Sequence, residues 1–180
     1  MKVLRDVDRF DFSIRQLPGF CTPASVASVN KYLMPGSNIT QQDIMNEFDR
    51  RKPPNTGLGL ESMKNCGILA NPAFSWADPR YISGNFDMMV QEVRSSIDND
   101  LPHIISVDGG RSGSVQNFHM LTVVGYDDSN FRVHDTQSPL LTNNPRTVPL
   151  VNIRSGLSQA HLFIGQFGND STDSLVIRRR

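Results

Sequence analysis

Two cysteines among 180 residues, Cys21 and Cys66, are too few for a disulfide framework. Their scarcity fits a reducing compartment better than a stapled secreted chain. No apolar run approaches the roughly 20 residues of a membrane span. The opening Met-Lys-Val-Leu-Arg-Asp-Val-Asp has no apolar segment of signal-peptide length. An excess of one charge is also missing. With 18 basic and 18 acidic residues, the chain has no electrostatic footprint for nucleic acid or an anionic membrane. The three closing arginines, 178–180, read as a solvated tail. Paired Cys-x₂-Cys or His-x₃-His spacing is absent, which removes a zinc site. Gly109-Gly-Arg-Ser-Gly113 lacks the following Lys-Ser/Thr of a phosphate cradle and reads as a mobile loop. No cofactor, metal, nucleic acid or membrane partner is therefore expected. The expected location is the cytoplasm, or another cell reached by a route that needs no signal peptide.

What is present is an ordinary globular composition, 38% apolar and 20% charged. A chain of this length buries a full core without staples and reads as one domain, residues 1–180. Residues 1–15 alternate apolar and charged side chains, as an extended lead-in or edge strand does. A helix starts near Cys21 and stops at Met34-Pro35-Gly36, with Val26, Val29 and Leu33 on one buried face. Thr40-Gln-Gln-Asp43 has the form of a capping box and opens a helix to about Arg50. Leu58 to Cys66 reads as a further short helix, and residues 68–84 as an irregular crossing. Phe86 to Asp98 carries the clearest amphipathic stripe. Trp76 and Cys66 are expected in packing roles.

After residue 102 the apolar period changes to two. Residues 103–107 and 119–126 read as strands, 127–130 as a turn and 131–135 as the returning strand of a hairpin. A long loop is expected from Gln137 to Pro149 and a last strand over 161–167. The fold class is thus α+β, with a helical lobe over about 16–100 and an antiparallel β lobe over about 101–170.

Cys21 is the residue with chemistry. A cysteine at a helix N-terminus meets the positive end of the helix dipole, which favours the nucleophilic thiolate. The alternative is a buried, inert cysteine. Gln16, a few residues upstream, is placed to offer its amide N–H, with the Cys21 N–H, to an oxyanion. A thiol nucleophile needs a base and a group to orient it. Of the four histidines, His119 is the candidate base, since it opens an apolar strand after a Gly/Ser-rich loop. Asp135 closes the return strand and is the candidate orienter. Strand alternation sends His134 and Asp135 to opposite faces, so Asp135 joins His119 only if the hairpin has an odd register. A three-residue turn at Asp128-Ser-Asn130 or a single bulge would supply that.

The order Gln16, Cys21, His119, Asp135 resembles that of papain-like cysteine peptidases. The local texture is most similar to bacterial double-glycine-type peptidases and to phytochelatin synthase. The stretches that carry the likeness are Gln16 to Ser25, Gly57 to Gly67, and the hairpin from His119 to Asp135. The resemblance implies a papain-like fold and a Cys21 nucleophile. It also implies a His119 base and acid, an Asp135 orienter and a Gln16 oxyanion donor. The implied function is a hydrolase cutting a protein or peptide substrate through a thioester, a bacterial effector or toxin among the settings. Thr22-Pro23 stands where the family usually carries Gly or Trp after the cysteine, and Asp replaces papain's Asn. Alternatives are a glutathione transpeptidase or a glutamine deamidase on the same fold. A papain-like binding module without activity is a further alternative, of another class.

Overall fold

The computed structural model describes residues 1–51, 71–76, 82–83, 86–107, 119–137, 144–154, 171–172, 174–175 and 177–180. These form β1 (Lys2–Val3), a 3₁₀ turn (Val7–Arg9), α1 (Cys21–Leu33), α2 (Gln41–Arg51), β2 (Phe74–Trp76) and β3 (Ile82–Ser83). Then follow α3 (Phe86–Asp98), β4 (His103–Val107), β5 (His119–Tyr126), β6 (Asn130–His134), β7 (Arg146–Pro149), β8 (Ser171–Thr172), β9 (Ser174–Leu175) and β10 (Ile177–Arg179). The expected helix at 58–66 with Cys66, the loop at 109–113 and the strand at 161–167 lie outside the described residues, as does the side chain of Trp76. Among the described residues no helix is long and apolar enough to cross a membrane.

The main sheet is antiparallel, in the order β7-β6-β5-β4-β9, with β1 also paired to β5. Gly125 is what admits β1: a Cβ there would meet the Lys2 carbonyl oxygen at 2.6 Å and Val3 Cγ1 at 2.8 Å. The register places Ile105 opposite Leu121 and Val107 opposite His119 on one face. Ile104 opposite Thr122 and Ser106 opposite Met120 occupy the other. Ile105, Val107 and Leu121 share a core with Met89, Val93 and Ile97 of α3. Ile104 and Met120 share a second core with Val26, Ala27 and Val29 of α1 and with Ile44 and Phe48 of α2. The helices thus cover both faces of β4 and β5, which explains why these strands read as apolar throughout.

α1 departs from its expected one-sided burial. Every residue from Cys21 to Asn30 is buried, as is Tyr32, while Leu33 is only partly so. The sheet lies under one side and α2 packs on another, and water reaches the helix only near its end, at Lys31 and Leu33. Two of its polar residues bond back into the helix: Ser28 Oγ donates to the Ala24 carbonyl at 2.9 Å and Asn30 Nδ2 to that of Val26 at 3.0 Å, while the buried Ser25 Oγ has no hydrogen-bond partner among the described residues. The capping box opening α2 forms as expected. The Thr40 N–H donates to Asp43 Oδ2 at 2.8 Å, and the Asp43 N–H to Thr40 Oγ1 at 3.1 Å.

Three further expectations need correction. The stretch 68–84 includes two short strands, β2 and β3. The closing arginines are no free tail: β10 pairs with β2, and the Arg180 N–H donates to the Ala73 carbonyl at 2.8 Å. The expected loop from Gln137 to Pro149 ends in β7, paired to β6 from Val133↔Arg146 to Asn130↔Pro149. Each missed strand is short, and its partner is distant in the chain or masked by Pro- and Asn-rich sequence, so no local alternation marks it.

Candidate active site

Cys21 is the first residue of α1. Its neighbour Phe20 occupies the N-cap and has no side-chain group to cap with. The first helical bond is Ala24 N–H to the Phe20 carbonyl at 2.9 Å. The Cys21 N–H belongs to the turn whose donors have no intrahelical partner, and no capping side chain competes for it. Pro23 in the same turn sacrifices no helical bond. The sulfur is buried, with Thr22 Oγ1 at 4.0 Å. Burial pushes the thiol pKa up. The His119 ring, the Met120 N–H and the Thr22 hydroxyl outweigh it and hold the thiol below 9.0.

His119 and Asp135 meet through the register of the hairpin. Thr122 stands opposite His134 and Val123 opposite Val133, but Gly125, not Val124, stands opposite Arg132. Val124 is the extra residue of a bulge, and its carbonyl accepts from the Leu4 N–H at 2.9 Å. Without that residue Asp135 would face the side of Thr122. With it, Asp135 shares the face of His119, and Asp135 Oδ1 accepts from His119 Nε2 at 2.7 Å, both side chains wholly buried. Of the two devices that could give an odd register, the chain uses the bulge. The turn itself is tight, with the Asp127 N–H donating to the Asn130 carbonyl at 3.0 Å.

Burial pulls the His119 pKa down, but Asp135 and the Cys21 sulfur reverse this and raise it to about 9. Burial pushes Asp135 up, while His119, the Gln137 N–H and Arg146 hold it far below the usual carboxylate range. Nε2 is taken by Asp135, and Nδ1 is buried without a hydrogen bond of normal geometry. Nδ1 is therefore the ring nitrogen left to serve the sulfur. The thiol is lowered and the imidazole raised, the two directions that favour a thiolate–imidazolium pair over a neutral one.

Gln16 is held at several points. Its N–H donates to the Thr136 carbonyl at 2.8 Å, and Thr136 Oγ1 donates to Gln16 Oε1 at 3.1 Å. The Gln41 side chain straddles it, donating to the Arg15 carbonyl at 2.7 Å and accepting from the Leu17 N–H at 2.9 Å. Thr136 occupies the amide oxygen, so the NH₂ end is the end turned to other work.

Several supporting residues leave no mark in the sequence. Asn144 brackets the Asp135 backbone, accepting from its N–H at 3.0 Å and donating to its carbonyl at 2.6 Å. Arg146 donates to Asp135 Oδ2 from Nε at 3.0 Å and from Nη2 at 2.6 Å. Both fall in the stretch expected to be loop, where only strand pairing could have found them. The other described histidines stand apart. Burial pushes His103 down to about 3 and His134 to about 4. His103 Nδ1 bonds to Ser96 Oγ at 2.9 Å, and His134 sits against the edges of Phe10 and Phe12. Among the described residues no group of three His, Cys, Asp or Glu could hold a metal ion.

A helix that presents a thiol to an imidazole on an antiparallel sheet is the arrangement of the papain-like cysteine peptidases, and this chain has their fold and is one of them. Residues 10–160 match the Peptidase C39-like family model, and the chain belongs to that family. Two of the similar solved structures share that fold. A Bacillus anthracis protein named as a C39-like peptidase shares 18% identity with a TM-score of 0.60, covering 100% of both chains. The peptidase domain of Streptococcus ComA, a bifunctional ABC transporter of a quorum-sensing pathway, shares 16% identity with a TM-score of 0.56. That match covers 93% of this chain and 97% of the domain. Identities this low speak for the fold alone. No curated protein matches the sequence significantly. The resemblance to double-glycine-type peptidases is thereby borne out.

Proposed function

We propose that Cys21, His119, Asp135 and Gln16 act together as a thiol centre that hydrolyses a peptide bond. The observation that carries this reading is the 2.7 Å bond from His119 Nε2 to Asp135, which leaves Nδ1 for the sulfur. The Cys21 thiolate attacks the carbonyl carbon, and the carbonyl electrons move onto oxygen. The Cys21 N–H and the Gln16 NH₂ hold that oxyanion. His119 gives its Nδ1 proton to the leaving amine as the C–N bond breaks, and a thioester remains. Water then attacks, His119 takes one of its protons, the sulfur leaves as the thiolate, and the new carboxylic acid gives its proton to solvent. Asp135 keeps the ring oriented and balances its charge throughout.

The test compares wild type with Cys21→Ala on a peptide panel that includes Gly-Gly sequences, read by mass spectrometry in heavy-oxygen water. The expected result is Cys21-dependent cleavage with solvent oxygen in the new carboxylate. Gln16→Ala should lower kcat by about 10²–10³-fold, the usual cost of one oxyanion donor. Loss of ammonia alone, transfer to another amine without water, or no Cys21-dependent mass change overturns the reading.

A further inference from the structure

His119 occupies one oxygen of Asp135, and Arg146 occupies the other. Nε and Nη2 of the guanidinium reach Oδ2 at 3.0 and 2.6 Å, while Oδ1 takes His119 Nε2 at 2.7 Å and the Gln137 N–H at 3.0 Å. The carboxylate is wholly buried and the Arg146 side chain only 15% exposed. Arg146 stands opposite Val133 on β6, and Asp135 lies two residues further along the same face, the diagonal spacing a long side chain spans. Four charges of alternating sign thus lie in series: sulfur, imidazole, carboxylate and guanidinium.

We propose that Arg146 is a positioning residue of this centre, a clamp that keeps Asp135 ionised and turned toward His119. Two N–H groups on one oxygen fix the carboxylate plane and leave the other oxygen aimed at the ring. A lone buried carboxylate is driven to take up a proton, which would remove the counter-charge of the imidazolium and, through it, of the thiolate. The guanidinium does not titrate, so its support is constant over working pH.

Among the described residues, the other charged groups on the surrounding elements do not replace it. Arg132 and His134 flank Val133 on β6 and alternate to the opposite face. His134 is pushed down to about 4 by burial and is neutral at working pH. Asp11 acts on His134 from the N-terminal segment and is itself paired with Lys31 Nζ at 2.7 Å. On the inner side, among the described residues, the charged partners are His119 and the Cys21 sulfur.

The proposal rests on the reading of Cys21, His119 and Asp135 as one thiol centre, and its test needs no substrate. The rate at which iodoacetamide alkylates Cys21 is followed against pH, with the Cys21 peptide quantified by mass spectrometry. Wild type should show thiolate reactivity well below the ordinary thiol range. In Arg146→Met the acid limb should move up by about half a pH unit or more, since lost charge and lost orientation both weaken the imidazolium. Arg146→Lys keeps the charge and should restore the limb. On a cleaved peptide, Arg146→Met should lower kcat with KM held. If Arg146→Met does not fold, Arg146→Gln, neutral but still a donor, should show the same displacement. A folded neutral variant whose limb coincides with wild type overturns the clamp and leaves the thiol centre standing. An ordinary thiol profile in wild type overturns both.

Discussion

His119 and His134 stand on adjacent strands of one hairpin, both wholly buried, with opposite charge preferences. His119 is raised to about 9 and His134 lowered to about 4. Burial lowers both, and it prevails at His134, whose ring meets Phe10 and Phe12 at centroid distances of 5.2 and 5.5 Å. The Ile14 carbonyl faces that ring, but neither nitrogen closes a hydrogen bond of normal geometry. Asp135 is the next residue in the chain, yet its carboxylate is aimed at the other face, and its charge at His134 does not overcome the burial. His103, against Ser96, behaves as His134 does. A buried histidine is therefore neutral by default, and only an anion in direct contact reverses that. Which face a strand residue takes decides between scaffold and chemistry.

The comparison breaks most sharply if Asp135 loses its charge. Asp135→Asn should lower kcat about 10⁴-fold, the cost seen when a triad acid is made neutral. Nuclear magnetic resonance titration of the ring carbons should then find His119 far below its value of about 9 and nearer to His134. A His119 titration unchanged by the substitution would refute the assignment of its charge to Asp135.

A subtler effect concerns stability. His119, raised to about 9, contributes stability that is lost as pH rises through its folded value, while Cys21, lowered, contributes stability that is lost as pH falls through its own. The two shifts act in opposite directions with pH, so the pair gives stability a shallower slope than His119 alone would. Cys21→Ala removes that opposition. His119 stays raised by Asp135, so its stabilisation is complete below pH 6.5 and is lost as pH rises through its folded value. Urea unfolding of Cys21→Ala should weaken from pH 6.5 upward, by at most about 1.4 kcal/mol per pH unit, and more steeply than wild type. A level Cys21→Ala profile would contradict the ion pair.

The smallest effect is expected on the scaffold side. His134→Leu exchanges an unpaired buried ring for an apolar group of similar volume. Stability should change by less than about 1.5 kcal/mol, with kcat/KM within about twofold of wild type. A large loss of activity with the fold intact would give His134 a part in the site after all.

The local elements were largely legible. The stop at Met34-Pro35-Gly36 matches Gly36 at φ +92°, and the stripe over Phe86–Asp98 matches buried Met89, Val90, Val93 and Ile97. Thr40 and Asp43 spelled out their own reciprocal bonds. Helical spacing, by contrast, understated the burial of α1, because a one-helix pattern does not record how many neighbours surround it. The strand β7 was hidden by Pro145 and Pro149, and with it went Arg146 and Asn144.

By itself, the sequence determined where several helices begin and end, and that a thiol stands at a helix N-terminus, because those depend on residues within a few positions of one another. It also narrowed the base and its orienter to His119 and Asp135 and stated the parity they would need. Only the tertiary structure decided that the parity comes from Val124, and that the acid is clamped by a guanidinium from a further strand. Register and ion pairing are relations between distant segments, set by packing across the whole sheet, and they leave no period in the chain that forms them.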